Sequence, residues 1–175
     1  MNKEFNELVS EILEFQWKKS PVEATFLGVH EYDDKLDKTD PESRRRYLKK
    51  TKEYLNGLNR YSPDPKTPSK EAKLSVDELM DWRMLRDSLK VQIAEEAKLR
   101  WFRRQARFYP DIALFGCYIL MLRDFAPLKV RMKSLLGRMK QVPRLMKQGQ
   151  ENLRRGGNIP RIWTKAAIET TMGGK

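Results

Sequence analysis

The chain's single histidine, His30, stands in GVHEYDDKLDKTDPES, residues 28–43, with Glu31 beside it and Asp33, Asp34, Asp37 and Asp40 following. Imidazole and carboxylates this close together are the materials of a metal site or an acid/base pair. HEYDD falls one residue short of HExxH, in which two histidines one helical turn apart hold zinc while the glutamate handles water. Asp34 occupies the place of the second histidine. A catalytic zinc takes three protein ligands and keeps one position open, so His30, Glu31 and Asp34 make at best a weak, oxygen-rich metal candidate. The aspartate series also lacks the alternate spacing, the glycine and the terminal glutamate of a calcium loop. The residue types favour a connecting loop whose carboxylates cap neighbouring helix N-termini, with His30 or Tyr32 bonded to backbone. No zinc is expected to be held stoichiometrically, and no residue is assigned to catalysis or to a cofactor.

A second concentration of chemistry is KLRWFRRQARFY, residues 98–109, which interleaves five Lys or Arg with Trp101, Phe102, Phe108 and Tyr109. Arg100, Arg103, Arg104 and Arg107 could neutralise phosphates while the rings stack on bases. Lys133, Arg138, Lys140 and Arg144 extend the basic character, and no acidic residue lies between Asp124 and Glu151. The plainer reading is a helix with arginines in solvent and aromatics inward. Nucleic acid is disfavoured as the partner, because no helix-turn-helix, zinc finger or RNA-binding signature accompanies the charge. Cys117 lies in an apolar run with no basic neighbour to stabilise a thiolate and reads as an inert buried thiol. Met132, Met139 and Met146 follow helical spacing and read as core, with a groove for a partner helix as the lesser alternative. Gly156-Gly157 and Gly173-Gly174 lack the strand–turn–helix context of a phosphate loop.

Punctuation by caps and prolines places these residues. Phe5, Leu8, Val9, Ile12 and Leu13 recur at steps of three and four behind Asn2, which predicts a helix over 3–19. Ser20-Pro21-Val22-Glu23 begins a short second helix that Gly28 can close in a left-handed conformation. Asp40-Pro41 starts a third, striped by Tyr47, Leu48, Thr51, Tyr54, Leu55 and Leu58, so the histidine stretch is the loop between two helices. Three prolines in YSPDPKTPS, residues 61–69, exclude helix there. A capping box at Ser75 and Glu78 opens a helical stretch to about Arg104, with Leu79, Trp82, Leu85, Leu89, Ile93, Ala97 and Trp101 on one face. IALFGCYILML, 112–122, is too short to span a bilayer and predicts a buried helix. Pro127 starts a helix striped by Leu128, Met132, Leu135, Met139, Val142, Met146 and Leu153, which Pro143 must kink or split. Gly156-Gly157 ends it, and Ile159-Pro160 opens a last helical segment. The fold expected is all-α, an irregular bundle of about six to seven helices in a single domain over 1–175, with no strand pattern or internal repeat.

Composition agrees: 39% hydrophobic residues with four Trp and seven Phe argue for a packed core. One cysteine gives no disulfide framework, and the first residues run into an amphipathic pattern rather than a signal peptide, so a cytoplasmic location is expected. The charge is lopsided. Residues 1–40 carry five Lys against ten Asp or Glu, net −5, which leaves +17 on residues 41–175 of a chain whose total is +12. Such a field can attract an acidic protein surface, nucleic acid or an anionic membrane without choosing among them.

ATFLGVHEYDD (24–34), RDFAPL (123–128), QVP (141–143), ENL (151–153) and IPRIWTKAAIE (159–169) occur in an order that resembles the amino-terminal region of the domain of unknown function 885 family. The resemblance implies a large, mostly helical protein similar to zinc-dependent peptidases, with a His-Glu metal motif in a later part of the chain that this sequence does not contain. It implies that zinc belongs only to a full-length relative and that this chain, with one histidine, is not itself an enzyme. The function implied is a non-catalytic helical domain that shapes a substrate groove or an inter-domain interface. Its partner is then the C-terminal portion of a longer protein or an acidic protein surface, or a second copy through an exposed apolar face, with no membrane involved. The alternative is a free-standing basic helical adaptor that binds nucleic acid or an acidic protein.

Overall fold

The computed structural model describes residues 2–62 and 74–173, and among these it is all-α with no strand. The helices are α1 Lys3–Lys19, α2 Pro21–Phe26, α3 Pro41–Asn59, α4 Val76–Ala94, α5 Phe108–Leu122, α6 Leu128–Met139, α7 Val142–Arg154 and α8 Arg161–Thr171. The proline-rich break expected at 61–69 lies outside the described residues from position 63 onward. The chain divides into two compact units, residues 1–16 with 44–99 and residues 17–43 with 100–175.

In the first unit, Phe5 and Ile12 of α1 meet Tyr54 and Leu58 of α3, Tyr61, and Trp82 and Leu89 of α4 in one core. Separations of seven and four put each helix's contributors on a single face. The Trp82 indole N–H donates to the Leu58 carbonyl at 2.7 Å, so the ring is buried without losing its donor. The helix starts are fixed by side chains, as the sequence predicts. Asn2 Oδ1 accepts from the Phe5 amide at 3.0 Å. Ser75 Oγ accepts from the Glu78 amide at 3.3 Å while Glu78 accepts from the Ser75 amide at 2.8 Å, a complete capping box. The other oxygen of Glu78 takes the Asn2 amide at 2.6 Å and so ties the starts of α1 and α4 together. Amides of Ser75 and Asn2 hold the Glu78 carboxyl below its ordinary pKa.

In the second unit, Tyr109 and Ala113 of α5 pack with Val22 of α2, Leu36 of the following loop and Leu145 of α7, and Ile112, Val142, Met146 and Leu153 lie against them. A Cβ at Gly149 would stand 2.6 Å from Cγ of Tyr109, so α7 crosses the buried ring at a distance that only glycine permits. The expected long helix through Pro143 is split: α6 ends at Met139, and Pro143 is the second residue of α7, where its missing N–H is an orphan in any case.

Two local expectations are corrected. Ser20 makes no side-chain cap although Pro21 still starts α2. The stretch expected to be helical to Arg104 ends as α-helix at Ala94, continues as a π-helical turn over Glu95–Leu99, turns left-handed at Arg100 with φ 51°, and re-forms as a 3₁₀ turn over Trp101–Arg103. The 3₁₀ turn is seated by two other segments of its unit. The Tyr109 hydroxyl donates to the Phe102 carbonyl at 2.5 Å, and a Cβ at Gly156 would fall 1.8 Å from the Arg103 carbonyl oxygen. A straight helix through 104 would forfeit both contacts.

Candidate functional site

The histidine loop begins where α2 closes. Gly28, at φ +89°, donates to the Thr25 carbonyl at 3.1 Å, and Val29 donates to Ala24 at 2.9 Å, the paired bonds of a Schellman cap. The chain then carries His30 back against the fold. Its Nδ1 lies 3.0 Å from Asp33 Oδ2, and its ring stacks on Phe125 with centroids 3.8 Å apart and planes 8° from parallel. Asp33 is buried, and its other oxygen accepts from the Thr25 hydroxyl at 2.6 Å. The metal candidates do not converge: Glu31 and Asp34 are exposed, and Asp34 pairs with Lys35 at 2.8 Å. His30 bonds a side chain rather than backbone, and Asp33, the residue that sequence reasoning passed over, is its partner. The usable signal was the i,i+3 spacing within a turn. The expected capping role holds at Asp40, whose Oδ1 accepts from the Ser43 amide at 2.9 Å at the start of α3.

Behind this loop lies Arg138, 0% exposed, which the sequence had placed on a basic surface. Its Nε donates to the Lys35 carbonyl at 3.0 Å, and its terminal nitrogens donate to the carbonyls of Gly116 and Pro21 and to the Thr25 hydroxyl. One guanidinium thereby joins α2, the loop, α5 and α6, a task that its five fixed donors suit and an ammonium does not. Burial lowers its pKa, and the charges of Asp33 and Asp37 oppose that shift. Arg144 is likewise drawn inward, donating to the carbonyls of Leu36 and Asp37. Asp37 has one buried oxygen with no hydrogen-bond partner, and burial pushes its carboxyl up to about 6 against the pull of Lys19 and the Val22 amide.

The remaining basic residues are scattered rather than gathered on one helix. Arg100, Arg104, Lys133 and Lys140 are exposed, Arg107 pairs with Asp111 at 3.0 Å, and Arg103 lies over the Phe102 ring at 5.5 Å. The aromatics that would stack on bases are largely committed elsewhere. Phe102 and Tyr109 are buried, and Trp101 stands edge-to-face with Trp163, centroids 5.7 Å apart. Cys117 is half-buried rather than buried, and it has a basic neighbour that the sequence did not show, Arg138; desolvation outweighs that charge and raises the thiol pKa, which suits an inert thiol.

The apolar run 112–122 is not the buried helix expected. Tyr109, Ala113, Gly116, Ile119 and Leu120 face the core, whereas Leu114, Phe115, Tyr118, Met121 and Leu122 stand on the opposite side of α5 in solvent, Tyr118 at 57% exposure. A sequence apolar all round hides which side is bare. Arg107, Asp111, Leu114, Phe115 and Tyr118 line an open concavity of about 630 Å³ along this side. Phe26 joins the face, its ring 5.9 Å from that of Phe115 and beneath the Arg123 guanidinium at 5.1 Å. The methionine stripe is corrected in the same sense: Met146 packs against the core, but Met132 and Met139 are exposed, as are Leu128 and Leu136.

Among the described residues no group of three or more His, Cys, Asp or Glu is arranged to hold a metal ion, and no helix is long and apolar enough to cross a membrane. Among curated proteins none matched the chain. A solved structure described as "a putative lipoprotein of unknown function from Shewanella oneidensis" superposes with a TM-score of 0.78 at 22% identity. The superposition covers 97% of this chain but 29% of the other, so the chain spans less than a third of that neighbour's length. At that identity the likeness speaks for the fold. A family model for bacterial proteins of unknown function matches residues 21–174, nearly the whole chain, and the chain belongs to that family, DUF885.

Proposed function

We propose that this chain is a non-catalytic helical domain whose second unit presents the bare side of α5 as an interface to further polypeptide of a larger protein. The observation that carries this reading is the row Leu114, Phe115, Tyr118, Met121 and Leu122, exposed opposite a well-packed core. A contiguous apolar face of this kind on a soluble fold marks an interaction site. Burying what these five side chains leave in water is worth on the order of 5 kcal/mol, at about 1 kcal/mol for each half-exposed residue. That sum sits at the low end of the 4–15 kcal/mol that free association costs. It suits a tethered or adjoining segment better than an independent globular partner. The neighbour in which a fold of this kind makes up 29% of the chain supports the same reading. The concavity beside Tyr118 is the part of the face that would contribute a wall to any groove formed with that polypeptide. The alternative of a basic nucleic-acid adaptor is weakened, since Arg138 and Arg144 spend their donors on backbone carbonyls.

The test is direct. The 175-residue chain is expected to bind an apolar fluorescent dye. A Leu114→Glu, Tyr118→Glu variant is expected to lose the α5 share of the dye signal and keep that of the exposed α6 residues, with helicity unchanged. A chain that binds no dye, or a variant whose dye signal equals that of the wild type, would refute the reading.

A further inference from the structure

The face of α6 adds information that the face of α5 lacks, because its lysines and four of its five exposed apolar residues are sorted, Val130 alone standing apart. At about 100° per residue, Leu128, Met132, Leu136 and Met139 form one stripe, and all four are exposed. Lys129, Lys133 and Lys140 form the adjoining row, also exposed. The two arginines of the helix take no part in this surface. Arg131 is turned inward to Asp124 and to the carbonyls of Leu120 and Ala126, and Arg138 is buried as described. No acidic residue lies between Asp124 and Glu151 in the sequence, and the acidic groups that come near the helix are already paired, Asp34 beside Gly137 with Lys35 and Asp124 with Arg131.

We infer that α6 receives an amphipathic helix with an apolar stripe edged by glutamate or aspartate, so that the partner's acidic row meets Lys129, Lys133 and Lys140. This rests on the docking reading above and specifies its partner. Three observations select this occupant. Two of the four stripe residues are methionines, which adapt to a partner's side chains without demanding one shape, the helix-in-groove mode of recognition. A second copy is disfavoured, since antiparallel pairing of two α6 stripes sets lysine row against lysine row. A membrane surface is disfavoured because α6 has only 12 residues and no aromatic, and its cations flank the stripe on one side alone.

The test uses the full 175-residue chain and two synthetic helical peptides about 18 residues long, identical in a leucine stripe and carrying either Glu or Lys along one flank. At low ionic strength the Glu peptide is expected to bind at least ten-fold tighter than its Lys twin, with the gap closing as salt is raised. A Lys129→Glu, Lys133→Glu variant should reverse the preference, and Met132→Asp should abolish binding of both, with circular dichroism confirming the fold in each. Equal binding of the two peptides overturns the acidic rim while leaving apolar docking standing. Binding of neither, or binding to phosphatidylserine vesicles in their place, overturns the inference. The change in dye signal on substituting Leu114 and Tyr118 of α5 decides the underlying reading separately.

Discussion

Replacing Arg138 by lysine keeps the positive charge and removes the fork. The guanidinium reaches the carbonyls of Lys35, Gly116 and Pro21 and the Thr25 hydroxyl in four directions at once. An ammonium on a shorter reach can make one or two of these bonds, and it forfeits at least two of them. At about 1.5–3 kcal/mol for each hydrogen bond to a charged group, Arg138→Lys should cost about 3 kcal/mol. Urea denaturation should show a lowered midpoint at unchanged slope, and amide exchange should quicken first in α2 and at the C-terminal half of α6. The pairing with Thr25 supplies a sharper readout. Thr25→Val should cost clearly less in the Arg138→Lys background than in the wild type, a coupling of about 0.5–3 kcal/mol for groups in one network. If Arg138→Lys lies within about 0.5 kcal/mol of wild type, the range of an ordinary surface substitution, or if the two changes are additive, the clamp argument fails.

Asp37 titrates upward in the fold, from 3.8 to about 6, so between those values the folded state holds a proton that the unfolded state has lost. Stability contributed by this group therefore falls as pH rises through that window and is level above it, by about 3 kcal/mol for a two-unit shift. Asp37→Asn should remove that component, so the difference between variant and wild-type stability should grow from about pH 4 to pH 6 and then flatten; a difference independent of pH would count against it. Gly149→Ala places a Cβ 2.6 Å from a fully buried ring; overpacking at about 1–3 kcal/mol outweighs the gain in helix propensity of about 1 kcal/mol, and a Tyr109→Leu background should erase the penalty. Ser75→Ala breaks the capping box and should lower stability by about 1 kcal/mol. Glu78 has a depressed pKa, so the stability it contributes is present above its unfolded value and is lost as pH falls through the folded one; a Glu78→Gln variant should show a shallower acid limb in a pH titration of thermal stability.

The helix ends were legible in the sequence because their determinants are local. Asn2, Pro21, Gly28, Asp40-Pro41 and the Ser75–Glu78 box each act within a turn of themselves, and the structure places helix boundaries at all of them. The features that failed depend on partners far along the chain. Arg138 finds Pro21 and Lys35 across more than 100 residues, and no periodicity marks an arginine for the interior. The seating of Phe102 and Arg103 depends on Tyr109 and Gly156. The side of α5 that stays bare cannot be read from a helix with apolar residues all round, because the hydrophobic pattern has no polar face to orient it. At the candidate site, HEYDD carried the chemistry types correctly but the wrong pairing: the turn brings Asp33 to His30, and Asp34 to Lys35.

The inverted character of α6 follows from the same carbonyls. Backbone carbonyls of Pro21 in α2, Lys35 in the loop, Gly116 and Leu120 in α5 and Ala126 just beyond it all take donors from Arg131 or Arg138. A buried carbonyl without a donor is costly, and a leucine at position 131 or 138 could offer none. Arginine can, since its stem packs like an aliphatic chain while its head distributes several donors. With two of the inward positions of α6 taken by Arg131 and Arg138, Leu128, Met132, Leu136 and Met139 stand on the flank. They lie there beside a row of lysines, exposed in this chain. The polar requirements of the interior thus shape the outer surface on which the proposed docking depends. Restoring an ordinary amphipathic pattern to α6, with apolar residues inward and arginines outward, would remove the apolar stripe and the clamp together.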